Sequence, residues 1–102
     1  MKGIVVRYRT KPEAAEANAE LIGQVFAELK EKAPPGVHYL ALRVDDDTFI
    51  HISLLEAQHT TSPIPHLEAF RAFQNGIKER CLEPPQSRPA TVIGAYRALG
   101  ET

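Results

Sequence analysis

The segment from Val37 to Glu56 constrains the fold more than any other, because two alternating runs meet there at Asp45-Asp46-Asp47. Period-two alternation on both sides of a short polar turn reads as an antiparallel hairpin. The side-chain pattern selects the loop length. With all three aspartates in the loop, Val44 faces Thr48, Leu42 faces Ile50, Leu40 faces Ile52 and His38 faces Leu54. One face then carries Leu40, Leu42, Val44, Ile50, Ile52 and Leu54; the other carries Tyr39, Ala41, Arg43, Phe49, His51 and Ser53. A two-residue loop would slip the pairing by one and set His51 beside Leu42 on a mixed face. The three-residue loop is expected, with the aliphatic face turned to the core.

The other elements follow from periodicity. Lys2 to Arg9 reads as a strand with Ile4, Val6 and Tyr8 on its core face. Thr10-Lys11-Pro12-Glu13 has the form of a capping box opening a helix. Ala14, Ala17, Leu21, Val25 and Leu29, widened by Ile22 and Phe26, form its apolar stripe as far as Lys32 or Ala33, and Pro34-Pro35-Gly36 ends it. The polar, proline-punctuated stretch from Ala57 to Pro65 reads as a loop. A second helix is expected from Pro65 or His66 to about Cys81, running through Gly76, with Leu67, Phe70, Phe73 or Gln74, and Ile77 facing inward and Cys81 continuing the line. Ala90 to Ala98, rich in Thr, Val, Ile and Tyr, is expected to be the last strand. Strand, helix, strand, repeated once, predicts an α+β chain: a ferredoxin-like βαββαβ sheet with two helices on one face, a single domain over residues 1–102.

Composition narrows the function. The 102 residues carry twelve Lys and Arg against thirteen Asp and Glu, a net charge of −1, which offers no basic platform for nucleic acid. One cysteine, Cys81, rules out an internal disulfide framework. The opening apolar run is broken by Arg7 and Arg9, and no stretch is long and apolar enough for a membrane span, so a cytoplasmic protein is expected. Gly3, Gly23 and Gly36 are isolated, so no phosphate-binding loop supports a flavin or nicotinamide, and no cofactor is expected. Four histidines in four elements lack metal-ligand spacing, and no metal site is expected.

Two helices cover one face of a four-stranded sheet and leave the other bare. A bare face holding Val5, Tyr39, Ala41 and Phe49 is an unusually large apolar patch for a monomer. Packing against a second copy covers it, so a homodimer through the open sheet face is expected. The polar residues on that face, Arg7, Arg43, His51 and Ser53, would then look into a cavity beneath the partner or pair among themselves. His51 is the first candidate base, able to take a phenolic proton near neutral pH. His66, at the start of the second helix where the dipole disfavours its charged form, is the second. Arg7 and Arg43 would bind an anionic or enolate oxygen. Tyr39, Phe49 and Phe70 would wall a flat aromatic ligand, with Ser53 beside them.

These segments, Ile4-Val5-Val6-Arg7-Tyr8, the long first helix, the hairpin Tyr39 to Arg43 with Phe49 to Ser53, and His66 to Phe73, resemble the dimeric α+β barrel superfamily. Within it the chain resembles the small antibiotic-biosynthesis-monooxygenase-like proteins, over nearly its whole length. The resemblance implies a cofactor-independent oxygenase acting on a small aromatic or polyketide-like compound, and it adds weight to His66, because members place polar substrate-facing residues in this segment. The superfamily also holds isomerases, haem-degrading members and proteins without assigned activity. The haem-degrading branch carries an Asn-Trp-His set; this chain has no Trp, and Asn75 does not sit in that pattern. The alternative is a non-catalytic dimer that binds a small ligand or serves as structure.

Overall fold

The computed structural model describes residues 1–98; the last four residues of the expected 1–102 domain lie outside the described residues. Among these, four strands and three α-helices follow the order β1 (Lys2–Thr10), α1 (Ala15–Lys32), β2 (Val37–Val44), β3 (Thr48–Leu55), α2 (Glu68–Gln74), α3 (Ile77–Arg80) and β4 (Cys81–Ala90). The strands form one antiparallel sheet in the order β2-β3-β1-β4. This is the α+β ferredoxin-like arrangement, with the helices packed on one face.

The hairpin has the expected register: Val44 pairs with Thr48, Leu42 with Ile50, Leu40 with Ile52 and His38 with Leu54. Asp45 and Asp46 both take positive φ in the turn, a conformation Asp tolerates better than most residues.

The faces of this hairpin are the reverse of the expectation. Directly opposed residues of an antiparallel pair share a face, and β1 pairs Tyr8 with Phe49 and Val6 with His51. Because Tyr8 points at the helices, Phe49, His51 and Ser53 do too, and through the β2–β3 ladder so do Tyr39, Ala41 and Arg43. Phe26 of α1 stacks on Tyr39, and Phe73 of α2 packs against both Tyr8 and His51. The aliphatic set Leu40, Leu42, Ile50, Ile52 and Leu54 lies on the uncovered face with Val5 and Arg7. An apolar face and a polar-aromatic face can each be buried, the second only when its polar atoms are paired. That condition holds: among the described residues, no buried side-chain nitrogen or oxygen lacks a hydrogen-bond partner.

The last strand also departs from expectation. Cys81–Ala90, containing Pro84, Pro85 and Pro89, is β4, whereas residues 91–98 form neither helix nor strand. An edge strand tolerates prolines because one side of it needs no ladder donors. The register shifts between Arg7 and Arg9 of β1, where the Pro84-Pro85 pair passes, as a bulge allows.

The helices differ at their ends. Thr10 is the buried last residue of β1 rather than a cap, a 3-10 turn occupies Pro12–Ala14, and α1 begins only at Ala15. Its buried residues are Ala15, Asn18, Ile22 and Val25, so the stripe is rotated from the expected one and includes an amide. The second helix breaks at Asn75 and Gly76. Gly76 has φ +78, which suits glycine alone without strain, and α3 starts after it.

Candidate active site

A cavity of about 190 Å3 lies between the helix-facing side of the sheet and the segment leading into α2. Its walls are mostly apolar and include Ile4, Val6, Ile64, Phe70 and Phe73. Its polar groups are few: His51, Tyr8, Tyr39 and the Ser53 and Ser62 hydroxyls among them. A largely apolar hollow with a few convergent polar groups is the usual form of a small-molecule site.

Each wall is held by identifiable contacts. The Glu28 carboxylate of α1 accepts the backbone N–H of Ala69 at 2.7 Å and of Glu68 at 3.3 Å, capping α2 from a neighbouring helix. Lys32 and these amides hold the Glu28 carboxyl below the usual carboxylate range. The cap sets α2 so that Phe70 and Phe73 lie over the sheet, their rings 5.7 Å apart. At the other end Arg80 donates to the carbonyls of Phe73 and Asn75 at 2.5 and 3.0 Å, and its guanidinium lies 5.5 Å from the Phe73 ring centre. Those bonds satisfy carbonyls that the short helix leaves free.

His51 occupies the floor, 5% exposed. Its Nε2 lies 2.8 Å from the Tyr8 hydroxyl and its Nδ1 lies 2.6 Å from the Tyr39 hydroxyl, so both ring nitrogens are engaged. The Tyr8 hydroxyl also accepts from Asn18 Nδ2 at 2.8 Å. Burial lowers the His51 pKa to about 4, which keeps the ring neutral at pH 7. Burial also raises Tyr8 well above the ordinary tyrosine value and raises Tyr39 to about 12. All three side chains are therefore uncharged, hydrogen-bonded groups under physiological conditions.

Of the residues singled out from the sequence, His51, Tyr39, Ser53 and Phe70 line this cavity together. The cavity lies beneath the chain's own helices, not beneath a partner on the open face as expected. Phe49 is buried behind it, stacked on Tyr8 at 5.5 Å. Arg43 stands at the far end of the hairpin, over the Phe49 ring and 2.9 Å from Glu16. Arg7 is on the opposite side of the sheet, bonded to Glu83 at 3.0 Å. His66 is exposed in a 3-10 turn over Ile64–His66 and is not among the residues lining the cavity.

Tyr8, Asn18 and Arg80 escaped the sequence reading as site residues. Asn18 had a legible signal: an amide at helical spacing from Ile22 and Val25 is a buried polar group that needs partners. Arg80 had none, because its role depends on where the chain turns after Gly76.

A second, more open hollow of about 260 Å3 runs along the end of α1, past Phe26, Leu29 and Val37. Its wall carries no cluster of titratable groups beyond Lys30 and Tyr39. Among the described residues no group of three or more His, Cys, Asp or Glu is placed to hold a metal ion, and no helix is long and apolar enough to cross a membrane.

No protein-family model matches the chain, and no curated protein matches its sequence. Solved structures do. An antibiotic biosynthesis monooxygenase superposes with a TM-score of 0.73 at 13% identity, over 92% of this chain and 100% of its own. A Nitrosomonas europaea protein of unknown function gives 0.74 at 17% identity, over 97% and 95% of the two chains. Rv0793 from Mycobacterium tuberculosis gives 0.73 at 11% identity, over 92% and 96%. Likeness at such identity is likeness of fold, and this chain has the α+β ferredoxin-like fold of these antibiotic-biosynthesis-monooxygenase-like structures.

Proposed function

We propose that this protein binds a small aromatic or polyketide-like compound in the cavity over His51 and promotes its oxidation by dioxygen without a resident cofactor. The observation that carries the reading is a buried, neutral imidazole held between two tyrosine hydroxyls on the floor of a largely apolar hollow. Flat apolar walls suit an aromatic ring, and the phenolic groups suit its oxygen. Dioxygen reacts with an electron-rich carbanion or enolate, so a site that stabilises the anion by hydrogen bonding accelerates that reaction. In the balanced step a methylene flanked by a ring and a carbonyl loses two hydrogens and gains one oxygen atom. The second oxygen atom leaves as water, and the substrate itself is the reductant.

Oxygen uptake with a panel of bicyclic ketones whose methylene lies between the ring and the carbonyl, such as β-tetralone, tests the reading. Turnover that drops at least about tenfold in His51→Ala supports it. Uptake that is equal with and without protein across the panel, or unchanged in the variant, overturns it.

One observation favours a second reading, ligand binding without turnover. Both nitrogens of His51 are occupied, and a ring whose pKa lies near 4 is a weak base at neutral pH. Tight binding of the same compounds with no oxygen uptake would establish it.

The assembly belongs to the same proposal: a homodimer through the open sheet face. Its support is the aliphatic set on that face, where Leu42 and Val44 are exposed, and the exposed Val92, Ile93 and Tyr96 that follow β4. Exposed apolar surface of this kind is stabilised by burial against a second copy.

A further inference from the structure

Five side chains form one continuous hydrogen-bonded series from α3 to the cavity floor. Arg80 Nε donates to Asn18 Oδ1 at 3.1 Å, and Asn18 Nδ2 donates to the Tyr8 oxygen at 2.8 Å. Tyr8 meets His51 Nε2 at 2.8 Å, and His51 Nδ1 meets Tyr39 at 2.6 Å.

The series has a direction. A guanidinium can only donate, so Asn18 turns its carbonyl to Arg80 and its amide nitrogen to Tyr8. The Tyr8 oxygen then accepts one bond, and the phenolic proton must go to its other neighbour, His51 Nε2. Were Nε2 protonated instead, Tyr8 would accept twice and its own proton would be stranded in a site where the residue is 1% exposed. A stranded buried donor is costly. Nε2 therefore accepts, the neutral ring carries its proton on Nδ1, and Nδ1 donates to the Tyr39 oxygen. The Tyr39 proton is the one left over. Among the described residues the Tyr39 hydroxyl has His51 as its hydrogen-bond partner, and Tyr39 lines the cavity.

From this polarity we infer that Tyr39 is a ligand-facing donor of the site, and that the ligand it selects is a one- or two-ring aromatic ketone bound by its carbonyl oxygen. The inference rests on the reading of this cavity as the ligand site and adds to it the chemistry and size of the ligand. Size follows from volume: an apolar cavity of about 150 Å3 takes up benzene, and this one holds about 190 Å3. By that measure one ring lies enclosed and a fused second ring reaches the rim at Ile4, which is half-exposed; a third ring would project beyond it. A carbonyl is an acceptor only, matching the free proton of Tyr39. As the ligand enolises, negative charge gathers on that same oxygen and the Tyr39 bond strengthens. Asn18 and Tyr8 act at a distance, as positioning residues that set which way His51 presents its proton.

The test uses α-tetralone and its hydrocarbon counterpart tetralin as probes, titrated into the full-length protein by calorimetry. The tautomer of His51 is read separately from its ring nitrogen-15 shifts in the unliganded protein. The ketone should bind about tenfold more tightly than the hydrocarbon to the wild type, and the ratio should collapse in Tyr39→Phe. The free protein should show the Nδ1–H tautomer. Asn18→Asp should reverse the series, because an aspartate beside Arg80 accepts from Tyr8. The ring should then switch to Nε2–H, with loss of the ketone preference. If that variant does not fold, the wild-type tautomer and Tyr39→Phe still decide. Equal binding of both probes, a preference that survives Tyr39→Phe, or an Nε2–H ring in the wild type each overturns the inference while leaving a ligand site in place. Failure of both probes to bind overturns it together with the reading of the cavity.

Discussion

His51 Nε2 lies 2.8 Å from the Tyr8 hydroxyl, across the ladder that joins β3 to β1. The contact ties the candidate site to the centre of the sheet, because Tyr8 is nearly inaccessible and also accepts from Asn18 of α1. Site and core are therefore one structure, and changes to one are expected to register in the other.

The protonation of His51 should be visible in stability. Its pKa falls from 6.5 in the unfolded chain to about 4 in the fold, so between those values the unfolded state binds the extra proton. The stabilisation is complete above about pH 6.5 and is lost as pH falls toward 4, amounting to about 3 kcal/mol over the window. Urea unfolding at a series of pH values should show the wild type losing more stability across this window than His51→Gln does. Parallel curves would show that the ring is not held neutral.

Tyr8→Phe deletes one hydroxyl and leaves Asn18 Nδ2 and His51 Nε2 without their partner. A loss of about 2 kcal/mol is expected, more than deletion of one exposed hydrogen bond would cause. Coupling the change with Asn18→Leu in a double-mutant cycle should return an interaction of about 1 kcal/mol. A coupling indistinguishable from zero would mean that the two side chains act independently.

Two glycines should respond oppositely to alanine. A Cβ at Gly3 would come within 2.8 Å of the Ala90 carbonyl oxygen of β4, so Gly3→Ala should cost about 1–2 kcal/mol as the strands are forced apart. Gly23 lies in α1 with nothing within 4 Å of the added atom. Gly23→Ala should stabilise by about 0.5–1 kcal/mol through reduced freedom of the unfolded chain. Thermal denaturation of both variants provides the check.

The proposed dimer depends on the aliphatic face. Leu42 and Ile50 are directly paired on it, so Ile50→Glu should give a folded monomer by analytical ultracentrifugation. Removal of residues after Ala90 should weaken association, since Ile93 is 99% exposed and Tyr96 81% exposed in the single chain. A wild-type protein that sediments as a monomer at micromolar concentration ends the proposal.

Much of this fold was legible in the chain. The three-aspartate turn and the alternation beside it determine the hairpin register, because a slip of one residue would mix the two faces. The long helix and its stop at Pro34-Pro35-Gly36 follow from spacing and proline chemistry, and His51, Tyr39, Ser53 and Phe70, singled out by type, line one cavity. Alternation separates two faces of a strand without saying which one a helix will cover. That choice was settled by the pairing of β1 with β3, which puts Phe49 and His51 beside Tyr8. It also depended on whether the polar groups of that face could all find partners, which only the assembled set of Asn18, Arg80 and the two tyrosines answers. Likewise, Cys81–Ala90 becomes a strand despite its prolines because the topology makes it an edge. Local patterns thus determined where the elements lie, while pairing between distant strands decided which side of the sheet the helices cover and the cavity occupies.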